Sequence, residues 1–319
     1  MTDRRDVYRR RRLAALGVLA AVSAFAGAAV GAGGDDPAAP GAAVGAAHKA
    51  SVRAAPPKPA ELPLGGRTIF PHYRVIAYYG APQNHELGAL GIGSPDAAGR
   101  RLRRQAQSYA RKTRPVMLAF ELIATVANAD PGEDGMYRTR QTAAVVRRYL
   151  RAARRAKALL LLDIQPGHAD FMGEVRHFDR WLREPDVGLA LDPEWHTPGA
   201  QPGTVIGSVD AAKVNEVSAH LAKIVRVDNL PEKLFVVHQF TSDMIRGKAQ
   251  VVARPGLATT MNVDGFGDRA NKVAKYREFT HDGTHFHRGF KLFYEEDTGL
   301  MKPRSVVGLQ PPPDLVVYE

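Results

Sequence analysis

The stretch VGLALDPEWH at 187–196 decides how the rest of the chain is read. Val187 to Leu191 form a short run of apolar residues and glycine that leads straight into Asp192, Pro193, Glu194, Trp195 and His196. Such a run suits a strand buried on both faces, as in a parallel sheet. Side chains alternate along a strand, so Gly188, Ala190, Asp192 and Glu194 share one face, while Leu189 and Leu191 share the other. Small residues fit the crowded axis of a barrel, and large ones fit against outer helices. Pro193 has no N–H and suits the point where a ladder stops; it also biases Asp192 towards extended backbone. The stretch therefore predicts two carboxylates at the rim of a cleft, with Trp195 as a wall beside them.

Seven other runs behave in the same way. They are RVIAYYG (74–80), PVMLAFELIA (115–124), ALLLLDIQPG (158–167), KLFVVHQFT (233–241), LATTMNVDGFG (257–267), FKLFYEED (290–297) and DLVVYE (314–319). Helical patterns separate most of them, at 94–113, 140–158, 173–184, 210–227 and 269–280, the first opened by Ser94 as a cap and Pro95 in the first turn. Eight strands alternating with helices predict an α/β fold, a (β/α)8 TIM-type barrel over 67–319. The competing fold is an open doubly wound sheet, which usually carries a glycine-rich phosphate loop after its first strand. The glycines of YYGAPQNHELGALGIG (78–93) lack that spacing.

Chemistry in such a barrel sits at the C-terminal ends of the strands. In order, those ends offer Tyr78 and Tyr79; Glu121; Asp163 and Gln165; Asp192 and Glu194; His238 and Gln239; Asn262 and Asp264; and Glu295, Glu296 and Asp297. Each has a structural reading of its own. Asp163 or Asp192 fits an ion pair with Lys291, the amides fit loop backbone, and His238 and Trp195 fit a core. Six polar strand ends running favour a site. Paired carboxylates in an aromatic-lined cleft are the equipment of glycoside hydrolysis, in which one acid protonates the leaving oxygen and a second acts as nucleophile or base. No Gly-x-Ser-x-Gly elbow or phosphate cradle occurs, and no cofactor is expected. The histidines of HDGTHFHRG (281–289) could serve a metal-dependent deacetylase or phosphodiesterase if His281, His285 or His287 met an aspartate of the crown. Their spacing lacks a shared helical face, and the segment reads as a solvated or sugar-contacting loop.

The ending LDPEW resembles the Asp-x-Glu close of the fourth strand in chitinase-like and lysozyme-like glycoside hydrolase barrels. MNVD (261–264) is similar to the Met-x-Tyr-Asp of the sixth strand in the chitinase-like family, with Val263 in place of Tyr. The longer acidic run of that family is absent, since Gly188 and Ala190 precede Asp192. From IAYYG onward the pattern also looks like a group of secreted actinobacterial proteins. The resemblance implies Glu194 as general acid supported by Asp192. Asp163 and Asp264 are the leading partners. Glu121, Gln165, Trp195, His238, Gln239, Asn262, Glu295 and Tyr79 are expected to contact a glycan. The alternative is a barrel without catalysis that binds glycan or another envelope partner.

The N-terminus carries Arg4, Arg5 and Arg9 to Arg12, followed by twenty uncharged, Ala- and Gly-rich residues at 13–32. This predicts an export signal over 1–34, or a membrane anchor if it stays uncleaved. Residues 35–66, dominated by Ala, Pro and Gly, read as a disordered linker. The expected location is outside the cell or on the outer face of the cytoplasmic membrane. Cysteine is absent, which excludes disulfides, thiolate catalysis and cysteine zinc sites. The formal charge is +11. Seven basic residues crowd 100–114, and Arg147, Arg148, Arg151, Arg154, Arg155 and Lys157 follow on the next helix. Such runs are solvated helix faces, or they hold the protein to anionic envelope polymers; nucleic acid is not an expected partner after export.

Overall fold

The computed structural model describes residues 58–281 and 285–319. Eight parallel strands close on themselves: β1 (Arg74–Gly80), β2 (Val116–Ala127), β3 (Ala158–Ile164), β4 (Val187–Leu191), β5 (Lys233–Gln239), β6 (Leu257–Val263), β7 (His287–Leu292) and β8 (Leu315–Tyr318). Each pairs with its sequence neighbour, and β1 pairs with both β2 and β8. The chain is therefore a (β/α)8 barrel, as the alternation predicts. The helices are α1 (Pro95–Ala106), α2 (Ala143–Ala156), α3 (Phe171–His177), α4 (Asp179–Leu182), α5 (Ala211–Val227), α6 (Arg269–Thr280) and α7 (Pro303–Val307). Ser94 accepts from the Ala97 N–H, so α1 starts where its cap and proline require.

Two cores follow from strand parity. Ala77, Ala119, Leu161, Ala190, Val236, Ala258 and Val317 fill the barrel, while Leu162, Leu189, Leu191, Val237 and Val316 pack outward among helix residues. A Cβ on Gly188 would lie 2.5 Å from the Leu234 carbonyl oxygen and 2.6 Å from Leu161 Cδ2. Glycine there lets β4 lie close against its neighbour β5 and leaves room for the Leu161 side chain.

The lower end of the barrel is closed by the segment preceding β1. Leu62, Ile69 and Phe70 are buried within the inner core. Arg67 donates to the carbonyl oxygens of Ala60 and Leu230, and the Ile69 N–H donates to Glu232. The folded unit therefore begins before residue 67, earlier than the linker reading placed it. The export-signal reading of 1–34 lies outside the described residues, and no described helix is long and apolar enough to cross a membrane.

Three elements differ from their sequence reading. β2 runs on to Ala127 because its end pairs with the antiparallel segment Arg138–Arg140. The helix expected over 173–184 is split at Phe178 into α3 and α4. β7 covers 287–292 rather than 290–297, so Glu295 and Glu296 follow the strand instead of ending it.

Candidate active site

Parity brings the strand ends together at the upper mouth. Tyr79, Glu121, Asp163, Asp192, His238, Asn262 and Lys291 each lie in alternation with residues of the inner core. They meet at its top, where none of them exceeds 5% exposure. Gln165 and Asp264 stand one step beyond β3 and β6 and are equally buried.

His238 lies at the centre. Its Nδ1 is 2.9 Å from Asp264 Oδ2, and its Nε2 is 3.1 Å from Glu121 Oε1 and 3.9 Å from Asp163 Oδ1. Lys291 Nζ is 3.0 Å from Asp264 Oδ2 and 2.7 Å from Glu319 Oε2, and it sits 3.8 Å above the Tyr79 ring. Asp264 also accepts from the Gly265 N–H. Burial opposes every one of these charges. For Asp264 the nearby Lys291 and His238 outweigh burial and hold the carboxyl well below the usual range. For His238 the hydrogen bonds to Asp264 and Glu121 outweigh it and raise the imidazole well above its ordinary value. Lys291 is raised likewise, with Asp264 and Glu319 outweighing burial.

The Tyr79 hydroxyl joins the remaining acids. It is 3.1 Å from Asp163 Oδ2 and 3.5 Å from Asp192 Oδ2, and it receives the Gln165 amide at 2.8 Å. The Gln165 oxygen accepts from the Ala127 N–H, so the amide must present its N–H2 group to Tyr79. A phenol has one proton and two lone pairs. With Gln165 on one lone pair, the phenol gives its proton to one of the two acids and turns its second lone pair to the other, which binds there only as a protonated acid. Burial raises Asp192 to about 6 against the pull of His238 and Lys291. Asp163 is pushed well above the carboxylate range by burial and by Asp192. One oxygen of each of Glu121, Asp163 and Asp192 is buried with no hydrogen-bond partner.

The cluster thus gathers Tyr79, Glu121, Asp163, Gln165, Asp192, His238, Asn262 and Asp264, all expected from sequence. It adds Lys291, expected only as a structural counter-ion, and Glu319, which sequence reading missed. Lys291 pairs with Asp264 and Glu319 rather than with Asp163 or Asp192. The lysine had a signal: a charge in alternation with Gly289, set inside the apolar run of Phe290, Leu292 and Phe293.

Three expected contacts are placed elsewhere. Gln239 has the parity opposite to His238 and donates to the Thr241 carbonyl. Glu295 is exposed beyond the end of β7. Glu194 does not share the face of Asp192, because the chain leaves β4 at Leu191 and winds through a 3-10 turn at Pro193–Trp195. That turn is tied down by the Gly207 N–H donating to the Glu194 carbonyl at 2.7 Å. Glu194 and Trp195 are half-buried on the rim loop. His287 does not reach the crown either, since it opens β7 at the lower end and pairs with Asp314 at 3.3 Å; residues 282–284 of that segment lie outside the described residues.

No family model matches the sequence, and no curated protein is similar to it. Among solved structures, the chain is similar to a D-allulose 3-epimerase from Methylomonas sp. (9% identity, TM-score 0.37), over 79% of this chain and 86% of that one. It is also similar to a ruminal GH26 endo-β-1,4-mannanase (7%, TM-score 0.39), over 78% of this chain and 59% of that one. A third is a Xanthomonas albilineans dihydropteroate synthase (12%, TM-score 0.31), over 78% of this chain and 88% of that one. These likenesses concern the barrel and carry nothing about chemistry.

Proposed function

We propose that the chain is a carbohydrate-active hydrolase that cleaves glycosidic bonds with carboxylates at the barrel mouth. The observation that carries this is the pair of buried acids, Asp163 and Asp192, gathered at one Tyr79 hydroxyl, where burial pushes both carboxyls above the usual range. In this reading Asp192 is the general acid, in place of Glu194. It gives its proton to the leaving oxygen. Glu121, fixed by His238 and with one oxygen free, is the second carboxylate, which activates water or attacks the sugar. Half-buried rings on the mouth loops, Tyr137, Trp195, Phe240 and Phe266, supply apolar faces for sugar rings. The substrate we propose is an envelope or environmental glycan, met outside the cell, with the basic faces of α1 and α2 turned to anionic envelope polymers.

The test is release of reducing ends from a polysaccharide panel by the purified chain. Asp192→Asn is expected to lower the rate at least a thousandfold, and Glu194→Gln to change it less than tenfold. The reverse pattern would return the acid to Glu194. Binding of a glycan with no turnover in any panel member would leave a binding barrel in place of the enzyme.

A further inference from the structure

The lower half of the same cluster has the donor set of a metal site. His238 Nε2, a Glu121 oxygen and an Asp163 oxygen all lie within 4.8 Å of one another. A cation bound at about 2.1 Å from each needs donors roughly 3.0–3.5 Å apart. The Nε2 to Glu121 separation is already 3.1 Å, and the Nε2 to Asp163 separation is 3.9 Å. The set closes by drawing the two carboxylates in towards Nε2, from separations that nowhere exceed 4.8 Å.

Two observations beyond the acids themselves point to a ligand. Glu121 Oε2 and Asp163 Oδ1 are fully buried and have no hydrogen-bond partner. Buried carboxylate oxygens are rarely left so. The other nitrogen of His238 is held by Asp264, which is itself held by Lys291. That chain fixes the ring with Nε2 facing the two acids. It is the outer support that metal-bound imidazoles generally have. The charge balance agrees. Five carboxyl groups (Glu121, Asp163, Asp192, Asp264, Glu319) surround one lysine and one histidine, with only Glu319 more than a tenth exposed.

We infer that Glu121, Asp163 and His238 bind one divalent first-row cation, Mn2+ or Zn2+. Mixed imidazole and carboxylate donors suit these ions better than Mg2+. On binding, the Nε2 proton leaves to solvent and the orphaned Asp163 Oδ1 gains its partner. The site goes beyond the hydrolase reading and does not rest on it, because cation binding is measured without any substrate.

The experiment is titration of the full chain, stripped with chelator and dialysed, with Mn2+, Zn2+ or Mg2+ alone, followed by calorimetry and by Mn2+ electron paramagnetic resonance. One site per chain is expected, with Mg2+ at least tenfold weaker than Mn2+. Asp163→Asn and Glu121→Gln should each weaken Mn2+ at least a hundredfold. Asp264→Asn, which touches no cation, should weaken it about tenfold to a hundredfold. A variant lacking His281 and His285 should bind as the parent does. Circular dichroism checks that each variant is folded. The inference is overturned if the folded parent binds neither Mn2+ nor Zn2+ at 1 mM, a concentration at which even about −4 kcal/mol of binding would show. Binding that survives both acid substitutions, or that disappears with His281 and His285, overturns it equally.

Discussion

Tyr79 shows how much one side chain in this mouth decides. Its hydroxyl holds the Gln165 amide and stands between Asp163 and Asp192, all of them buried. Tyr79→Phe keeps the ring under Lys291 but leaves a buried amide N–H and a carboxyl oxygen without partners. The expected cost is about 1–3 kcal/mol of stability, read from denaturant midpoints, since leaving a buried polar group unpaired costs its desolvation. If Asp192 is the acid, the same variant loses most of its activity, because the hydroxyl that positions Asp192 beside Asp163 is gone. An unchanged rate in folded Tyr79→Phe would separate Asp192 from the chemistry. Wild-type activity should also fall as pH rises through about 6, the value to which burial raises Asp192, because a general acid works only while protonated.

At the scale of elements, the mouth depends on a tie between β2 and α3. Glu174 on α3 accepts from Arg138 at 2.8 Å and from Arg140 at 2.7 Å, both on the segment paired with the end of β2. Its side chain is 2% exposed, whereas Arg140 keeps 35%. The two arginines outweigh burial and hold the Glu174 carboxyl below its ordinary value. A depressed carboxylate stabilises the fold above its unfolded pKa and loses that contribution as pH falls through the folded one. Glu174→Gln should therefore cost about 3 kcal/mol near neutrality, at the low end of buried-pair losses because Arg140 stays partly in water. The gap between variant and parent should narrow as pH drops from about 5 towards 3, as followed by urea unfolding. A gap independent of pH would mean that packing, and not charge, makes the tie. This tie was not legible in the sequence. Arg138 and Arg140 alternate along a strand that exists only because β2 overruns its expected end, and Glu174 lies more than thirty residues away.

At the scale of the whole molecule, the barrel is sealed from below by the segment before β1. Leu62, Ile69 and Phe70 are buried against its inner core. A chain starting at residue 58 is expected to melt with the full-length protein. One starting at residue 74 gives up three buried side chains, roughly 5–9 kcal/mol of apolar burial, and should unfold at markedly lower denaturant or fail to fold. Equal stability of the two truncations would mean that the seal contributes nothing.

The eight strands, their order and the inward faces of β2, β3 and β4 were determined by the sequence itself, because period and parity are local properties of a chain. Gly188, Ala190 and Asp192 against Leu189 and Leu191 gave away both the axis and the acid. What lay past the last strand residue was decided by tertiary structure. Glu194 left the face of Asp192 once the chain turned at Pro193, and Glu295 fell outside because β7 is set three residues earlier by its pairing with β6 and β8. The pairing of charges was equally beyond the sequence. Which carboxylate Lys291 neutralises, and which pair His238 bridges, depends on strand stagger around a closed barrel. Stagger is set by hydrogen bonds between segments far apart in the chain, and no local pattern of residues records it.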